Sequence, residues 1–139
     1  MIELKGKKVL VVGLGRSGQA AARVCSDQGA IVTVTDRRGP EALASARANL
    51  APGTSEELGG HREATFLTTD LIVLSPGVPE LPEIVAARRA GVAITGELEL
   101  GSWFNQGTMV AVTGTNGKST TTTLCGNIVR ATGDRKSVV

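Results

Sequence analysis

Apolar positions follow two different periods along this chain, and they alternate. Lys8–Val12 is an unbroken apolar run closed by Gly13, the pattern of a strand covered on both faces. Ser17–Gln28 switches to helical spacing, with Ala20, Ala21, Val24 and Cys25 in phase and Gly29 placed as the stop. A second strand is predicted over Ile31–Thr35, ending at Asp36. Pro40 is suited to open a helix through about Leu50, with Leu43, Ala46 and Leu50 on one face. Ala51–Arg62 carries Gly and Pro and reads as loop, and Ala64–Leu67 as a short strand. Asp70–Leu74 is a clear apolar strand closed by Ser75-Pro76-Gly77. A helix from Pro82 to near Gly91, a strand over Val92–Thr95 and a helix over Glu97–Phe104 follow, the last with Leu100, Trp103 and Phe104 at i, i+3 and i+4. Met109–Thr113 is predicted as a last strand. Lys118–Ala131 is the last helix, with Thr121, Leu124, Cys125 and Ile128 sharing a face.

Strand and helix alternating in this way predict an α/β protein. Its expected core is a parallel sheet with right-handed crossovers and helices on both faces, and such sheets bind ligands at the carboxyl ends of their strands. No internal repeat or low-complexity stretch interrupts the pattern. A boundary is expected around Gly96–Thr108, between a five-strand unit and a second strand–loop–helix.

Composition narrows the function. The chain has 139 residues, 41% hydrophobic and 20% charged, enough apolar material for a core. Fifteen Lys and Arg against thirteen Asp and Glu leave a net charge of +2, too balanced for a nucleic-acid or membrane-surface binder. Aromatic residues are 2%, which argues against base-stacking platforms. No apolar run reaches the length of a membrane helix, and the short run after the basic start is broken by Arg16 with no small-residue cleavage site. A cytoplasmic protein is expected. Cys25 and Cys125 lie far apart in helical patterns and read as buried small hydrophobes rather than a disulfide or a metal pair. His61, in a Gly-rich loop, reads as a solvated residue. Asp70 reads as a cap at the start of a strand, and Glu97 and Glu99 as charges of a helix N-terminus.

Two glycine loops carry the chemistry. Gly13-Leu14-Gly15-Arg16-Ser17-Gly18 fits G-x-G-x-x-G directly after a strand and opens a helix. Glycines there allow a tight turn, close backbone approach to a phosphate, and close helix–strand packing, while the helix mouth offers free N–H groups. Asp36 ends the following strand, where a ribose acceptor sits in dinucleotide folds. The loop indicates a Rossmann-like nucleotide site without specifying the nucleotide. Arg37 and Arg38 read equally as a phosphate-holding pair or as a solvated turn. The second loop, Thr113-Gly114-Thr115-Asn116-Gly117-Lys118-Ser119-Thr120, also joins a predicted strand to a helix and contains Gly-Lys-Ser. Its backbone N–H groups are suited to cradle phosphates, Lys118 to neutralise them, and the Ser119 hydroxyl to reach Mg²⁺. The standard spacing asks for Gly at position 112, where Val112 stands, so this is a shortened P-loop with its first Gly at 114.

Taken in order, Gly13–Gly18, Thr35-Asp36-Arg37, Ser75-Pro76-Gly77-Val78-Pro79 and Gly114–Thr120 resemble the N-terminal part of the Mur ligases of peptidoglycan synthesis, closest to the D-glutamate-adding branch. The resemblance covers residues 1 to about 133, and G-T-N-G-K-[ST]-T is its most specific motif. It implies that residues 1–96 are a Rossmann-like domain that binds a UDP-linked substrate. Gly15, Arg16 and Ser17 would meet the diphosphate, Asp36 and Arg37 would lie near the uridine end, and Ser75 and Gly77 near the sugar nucleotide. It implies that residues 97–133 are a linker and the first strand, P-loop and helix of a truncated P-loop ATPase domain. ATP and Mg²⁺ would sit there on Gly114, Thr115, Asn116, Gly117, Lys118, Ser119 and Thr120, with Ser119 toward the metal and Lys118 offsetting charge on the transferring phosphoryl group.

For the full-length enzyme, the resemblance implies UDP-N-acetylmuramoyl-L-alanine and D-glutamate as substrates, joined through an acyl phosphate. No obligate protein partner, nucleic acid or membrane is implied. Family members continue into a whole ATPase domain and a third domain, so this polypeptide alone is expected not to catalyse ligation. The alternatives are an NAD(P)-dependent oxidoreductase, which leaves the second loop unexplained, and a non-enzymatic nucleotide-binding module. The last six residues, Asp134–Val139, lack helical periodicity. They can be back-translated as GAT CGG AAG AGC GTC GTG, the run of a widely used sequencing adaptor, and are expected to be a non-native tail. The predicted helix face of Leu124, Cys125 and Ile128 has little to bury against, so 96–139 is expected to be less stable than 1–95.

Overall fold

The computed structural model describes residues 3–133, so the tail at 134–139 lies outside the described residues. The chain divides into two compact units, Met1–Phe104 and Asn105–Val139.

In the first unit five strands form one parallel sheet: β1 (Lys8–Val12), β2 (Ile31–Asp36), β3 (Ser55–Leu58), β4 (Leu71–Leu74) and β5 (Ala93–Gly96), in the order β3-β2-β1-β4-β5. β1 is central, with Val11 paired to Val34 of β2 on one side and Val73 of β4 on the other. Its side chains alternate between two cores. Val9 and Val11 pack with Ala21, Ala22 and Cys25 of α1 (Arg16–Asp27) and with Leu100 of α5 (Glu97–Phe104). Leu10 and Val12 pack on the opposite face with Phe66 of α3 (Glu63–Leu67) and with Ile84 and Ala87 of α4 (Pro82–Arg89). A run apolar at every position is what a strand buried on both faces requires.

Three expectations are corrected here. The helix predicted from Pro40 to Leu50 is only α2 (Ala44–Arg47). The N–H groups of Leu43 and Ala44 reach back three residues, to the carbonyls of Pro40 and Glu41, and Asn49 and Leu50 do the same at the other end. The segment is therefore one α-turn between tighter turns, although Leu43 and Ala46 are buried as expected. The predicted loop contains β3, whose sequence Ser-Glu-Glu-Leu has no strand-like hydrophobicity. It is an edge strand formed by pairing with β2, from Thr33↔Ser55 to Asp36↔Leu58. The strand predicted over Ala64–Leu67 is instead the helix α3, because Phe66 reaches the core from a helical turn and becomes fully buried. A short apolar run fits either period, and here the tertiary contact decided.

The second unit is a loop followed by α6 (Lys118–Ala131). The strand predicted over Met109–Thr113 is not formed among the described residues, and Met109 and Val110 are exposed. A strand exists only with a pairing neighbour, and no described segment of this unit supplies one. The face of α6 exposes Leu124 and Ile128. Cys125 is exposed as well, contrary to the expectation that both cysteines are buried, whereas Cys25 is fully buried.

Candidate functional site

The order β3-β2-β1-β4-β5 reverses direction between β1 and β4, which opens a crevice beyond the carboxyl ends of these strands. The first glycine loop lies there. Gly13 has φ 93°, a left-handed conformation that turns the chain sharply out of β1. Its N–H donates to the Thr35 carbonyl at 2.8 Å, and its carbonyl accepts the Ser75 hydroxyl at 3.0 Å. Gly18 lies in the first turns of α1, directly against this turn. A Cβ at Gly18 would come within 1.9 Å of the Gly13 oxygen. Gly15 is the N-cap of α1, with no side-chain cap, and a Cβ there would meet open space. The helix mouth formed by Gly15, Arg16 and Ser17 is thus exposed and uncapped, the arrangement that accepts an anion on backbone N–H groups.

Asp36 sits at the end of β2 and is almost fully buried. Its Oδ2 accepts the Leu14 N–H at 2.8 Å, tying β2 to the glycine loop. Its Oδ1 accepts the Arg38 backbone N–H at 2.9 Å, and the Arg38 guanidinium donates to both oxygens at 3.0 and 2.8 Å. Burial pushes this carboxyl up. The side-chain hydrogen bond from Arg38, the two backbone amides and the guanidinium charge outweigh burial and hold the pKa at about 2. Of the two arginines left open by the sequence, Arg38 grips Asp36 and Arg37 is exposed.

Ser75, at the end of β4, is buried, and its hydroxyl is committed to Gly13. Gly77 occupies a left-handed turn at φ 84° and is exposed. The structure thus brings Gly15, Arg16, Ser17, Asp36, Arg37, Ser75 and Gly77 to one end of the sheet. Three further residues at this end went unremarked as site residues. Leu14 contributes a backbone N–H. Thr35 is fully buried. His61 is half-buried with its Nδ1 2.9 Å from the Thr35 Oγ1, rather than free in solvent as expected. Asp70 behaves as expected, its Oδ2 accepting the Lys8 N–H at 2.7 Å at the start of β1.

The second glycine loop belongs to the other unit. Gly114 (φ 149°) and Gly117 (φ 78°) adopt backbone conformations that L side chains rarely take, and Gly117 is the N-cap of α6 without a side-chain cap. The Lys118 ammonium donates to the carbonyls of Gly114 and Thr115, so the loop is curled around a cation. Thr115, Asn116, Ser119 and Thr120 are exposed. Uncapped amides beside a lysine fit a polyphosphate. Among the described residues no group of three His, Cys, Asp or Glu could hold a metal ion. Ser119 therefore fits Mg²⁺ only as one ligand of an ion held mainly by phosphates and water.

The strand order, the glycine turn at the switch point and the helices on both faces define an α/β domain of the doubly wound, Rossmann-like class. Residues 7–96 match the family described as Mur ligase MurD-like, N-terminal domain, and the chain belongs to that family. It is 57% identical over 129 residues to the UDP-N-acetylmuramoylalanine–D-glutamate ligase of Anaeromyxobacter dehalogenans, an alignment of 91% of this chain and 28% of that protein. It is 54% identical over 130 residues to the enzyme of the same name from Acidobacterium capsulatum, covering 92% of this chain and 28% of the relative. Among solved structures, the UDP-N-acetylmuramate-alanine ligase of Thermotoga maritima is similar, with TM-score 0.59, 28% identity, and coverage of 89% of this chain and 29% of that one. The chain thus spans under a third of the length of each of these proteins.

Proposed function

We propose that this chain is the N-terminal portion of an ATP-dependent, amide-bond-forming ligase that adds D-glutamate to UDP-N-acetylmuramoyl-L-alanine in the cytoplasm. The observation that carries this reading is the 57% identity to such a ligase over 91% of the chain, too much of it to leave out either glycine loop. Residues 1–96 hold the UDP-linked substrate. The diphosphate lies at the helix mouth of Gly15, Arg16 and Ser17, the uridine end toward Asp36 and Arg37, and the sugar toward Ser75 and Gly77. The open, uncapped start of α1 supports that assignment.

Residues 97–133 lead into the ATP-binding part, with the nucleotide phosphates on Gly114–Thr120. Lys118 exchanges the loop carbonyls it now contacts for phosphate oxygens and offsets their charge. Mg²⁺, when bound with the nucleotide, neutralises phosphate charge, and the Ser119 hydroxyl is the group of this chain that reaches it. The 139 residues by themselves do not carry out ligation in this reading. The oxidoreductase alternative is not favoured, since the close relatives are ligases.

Isothermal titration with UDP-N-acetylmuramoyl-L-alanine, NAD⁺ and ATP tests the assignment. The expected result is that the uridine nucleotide and ATP bind independently, NAD⁺ does not, and Lys118→Ala abolishes ATP binding while leaving the uridine nucleotide unaffected. Binding of NAD⁺ in place of the uridine nucleotide would overturn it.

A further inference from the structure

Gly59 and Gly60 form a turn after β3, both with left-handed backbone (φ 85° and 154°) and neither with a side chain to anchor it. The turn folds back over the end of β2. The Gly59 N–H donates to the carbonyls of Asp36 and Arg38 at 3.0 and 2.9 Å, and the Gly60 N–H to that of Asp36 at 3.3 Å. His61 is the first side chain after this turn. Its ring meets Phe66 edge-on, with centroids 5.9 Å apart and planes at 81°, and Phe66 is fully buried. Its Nδ1 lies 2.9 Å from the Thr35 Oγ1, while the Thr35 hydroxyl is 3.2 Å from the Gly60 carbonyl. A hydroxyl has one proton and two lone pairs. With that proton on the Gly60 carbonyl, His61 Nδ1–H is the donor and Thr35 Oγ1 the acceptor.

Thr35 stands between two structures. Its side chain is held by His61 and Gly60, while its carbonyl accepts the Gly13 N–H at 2.8 Å. The next residue, Asp36, accepts the Leu14 N–H. A continuous path therefore runs from the buried Phe66 through His61 and Thr35 to the two amides that shape the first glycine loop. We propose that His61 is a positioning residue: through Thr35 it sets the carboxyl end of β2 and so holds Gly13 and Leu14 in the turn that receives the diphosphate. The effect on ligand rests on the uridine-nucleotide reading above, whereas the effect on the loop does not.

The two parts are tested separately with the 139-residue chain and His61→Ala, His61→Asn, His61→Gln and Thr35→Val. The first readout is ligand-free amide exchange at Gly13 and Leu14, followed by NMR. His61→Ala and Thr35→Val should each speed it about tenfold. Asn can place a donor where Nδ1 stands and should restore protection, whereas Gln reaches the Nε2 position and should not. The second readout is the Kd for uridine diphosphate, expected to weaken about five- to thirtyfold in the same variants and to stay within threefold of the parent in His61→Asn.

Unchanged exchange at both amides in His61→Ala and Thr35→Val would overturn the proposal. So would loss of protection in His61→Asn equal to that in His61→Ala, since ring volume and not the hydrogen bond would then be responsible. A parent chain that binds no uridine diphosphate but shows the expected exchange pattern would refute the ligand reading and leave the positioning role standing.

Discussion

A single carboxylate, Asp36, joins three segments of chain that are separate in sequence or direction: the end of β2, the Leu14 amide of the glycine loop and the Arg38 turn. Its position at the end of a predicted strand was legible in the sequence. Its partners were not, because a hydrogen bond across 22 residues is set by how β1 and β2 pair. The consequence for pH follows from its depressed pKa of about 2, against 3.8 for an ordinary Asp. The unfolded chain binds this proton more readily than the folded one. The stabilisation is therefore complete above pH 4 and is lost as pH falls toward 2. A shift of this size corresponds to about 2 kcal/mol. Urea unfolding followed by Trp103 fluorescence should show that loss between pH 4 and 2, and Asp36→Asn should be less stable at pH 7 with a flatter acid limb. An unaltered acid limb in the variant would mean that other carboxylates dominate.

At the scale of elements, the glycines sort by what surrounds them. Helical glycines ordinarily gain from replacement by Ala, by up to about 1 kcal/mol. Gly101, in α5 with open space around it, should follow that rule. Gly18 should do the opposite, because the added methyl meets a backbone oxygen at 1.9 Å and neither α1 nor the Gly13 turn can yield without losing the Ser75 and Thr35 hydrogen bonds. Overpacking of that kind costs about 3 kcal/mol, which outweighs the propensity gain. Thermal melts of Gly18→Ala and Gly101→Ala should thus move in opposite directions; a Gly18→Ala melt at or above the parent's would contradict the packing argument. The periodicity located α1, α4, α5, α6 and four of the five strands because each of these has either a helical stripe or an apolar run. It failed at β3 and α3, overran α2, and placed a strand over Met109–Thr113 that is not formed among the described residues. Ser55–Leu58 is polar and owes its form to pairing with β2, and Ala64–Leu67 is too short for its period to be distinctive.

At the scale of the whole molecule, the first compact unit ends at Phe104. Leu100 is buried in the core formed with α1, and Trp103 and Phe104 pack against it, so α5 is part of the first unit. Residues 105–117 carry no strand or helix, and Met109 and Val110 are exposed within them. Local opening is least costly where few buried contacts are lost. Limited proteolysis should cut first within 105–117 and leave a resistant core that retains Trp103 and the first glycine loop. An initial cut between 8 and 96 would contradict this division.

By itself the sequence determined the class of fold, the two glycine turns and the family, because alternating periods, obligatory glycines and fixed motif spacing are local properties of the chain. Tertiary structure decided the edge strand β3, the helix at Phe66, the absence of a strand over Met109–Thr113 among the described residues, and the grip of Arg38, Leu14 and His61 on the end of β2. Each of those depends on which distant backbone or side chain comes within hydrogen-bonding or van der Waals reach, and spacing along the chain does not encode that distance.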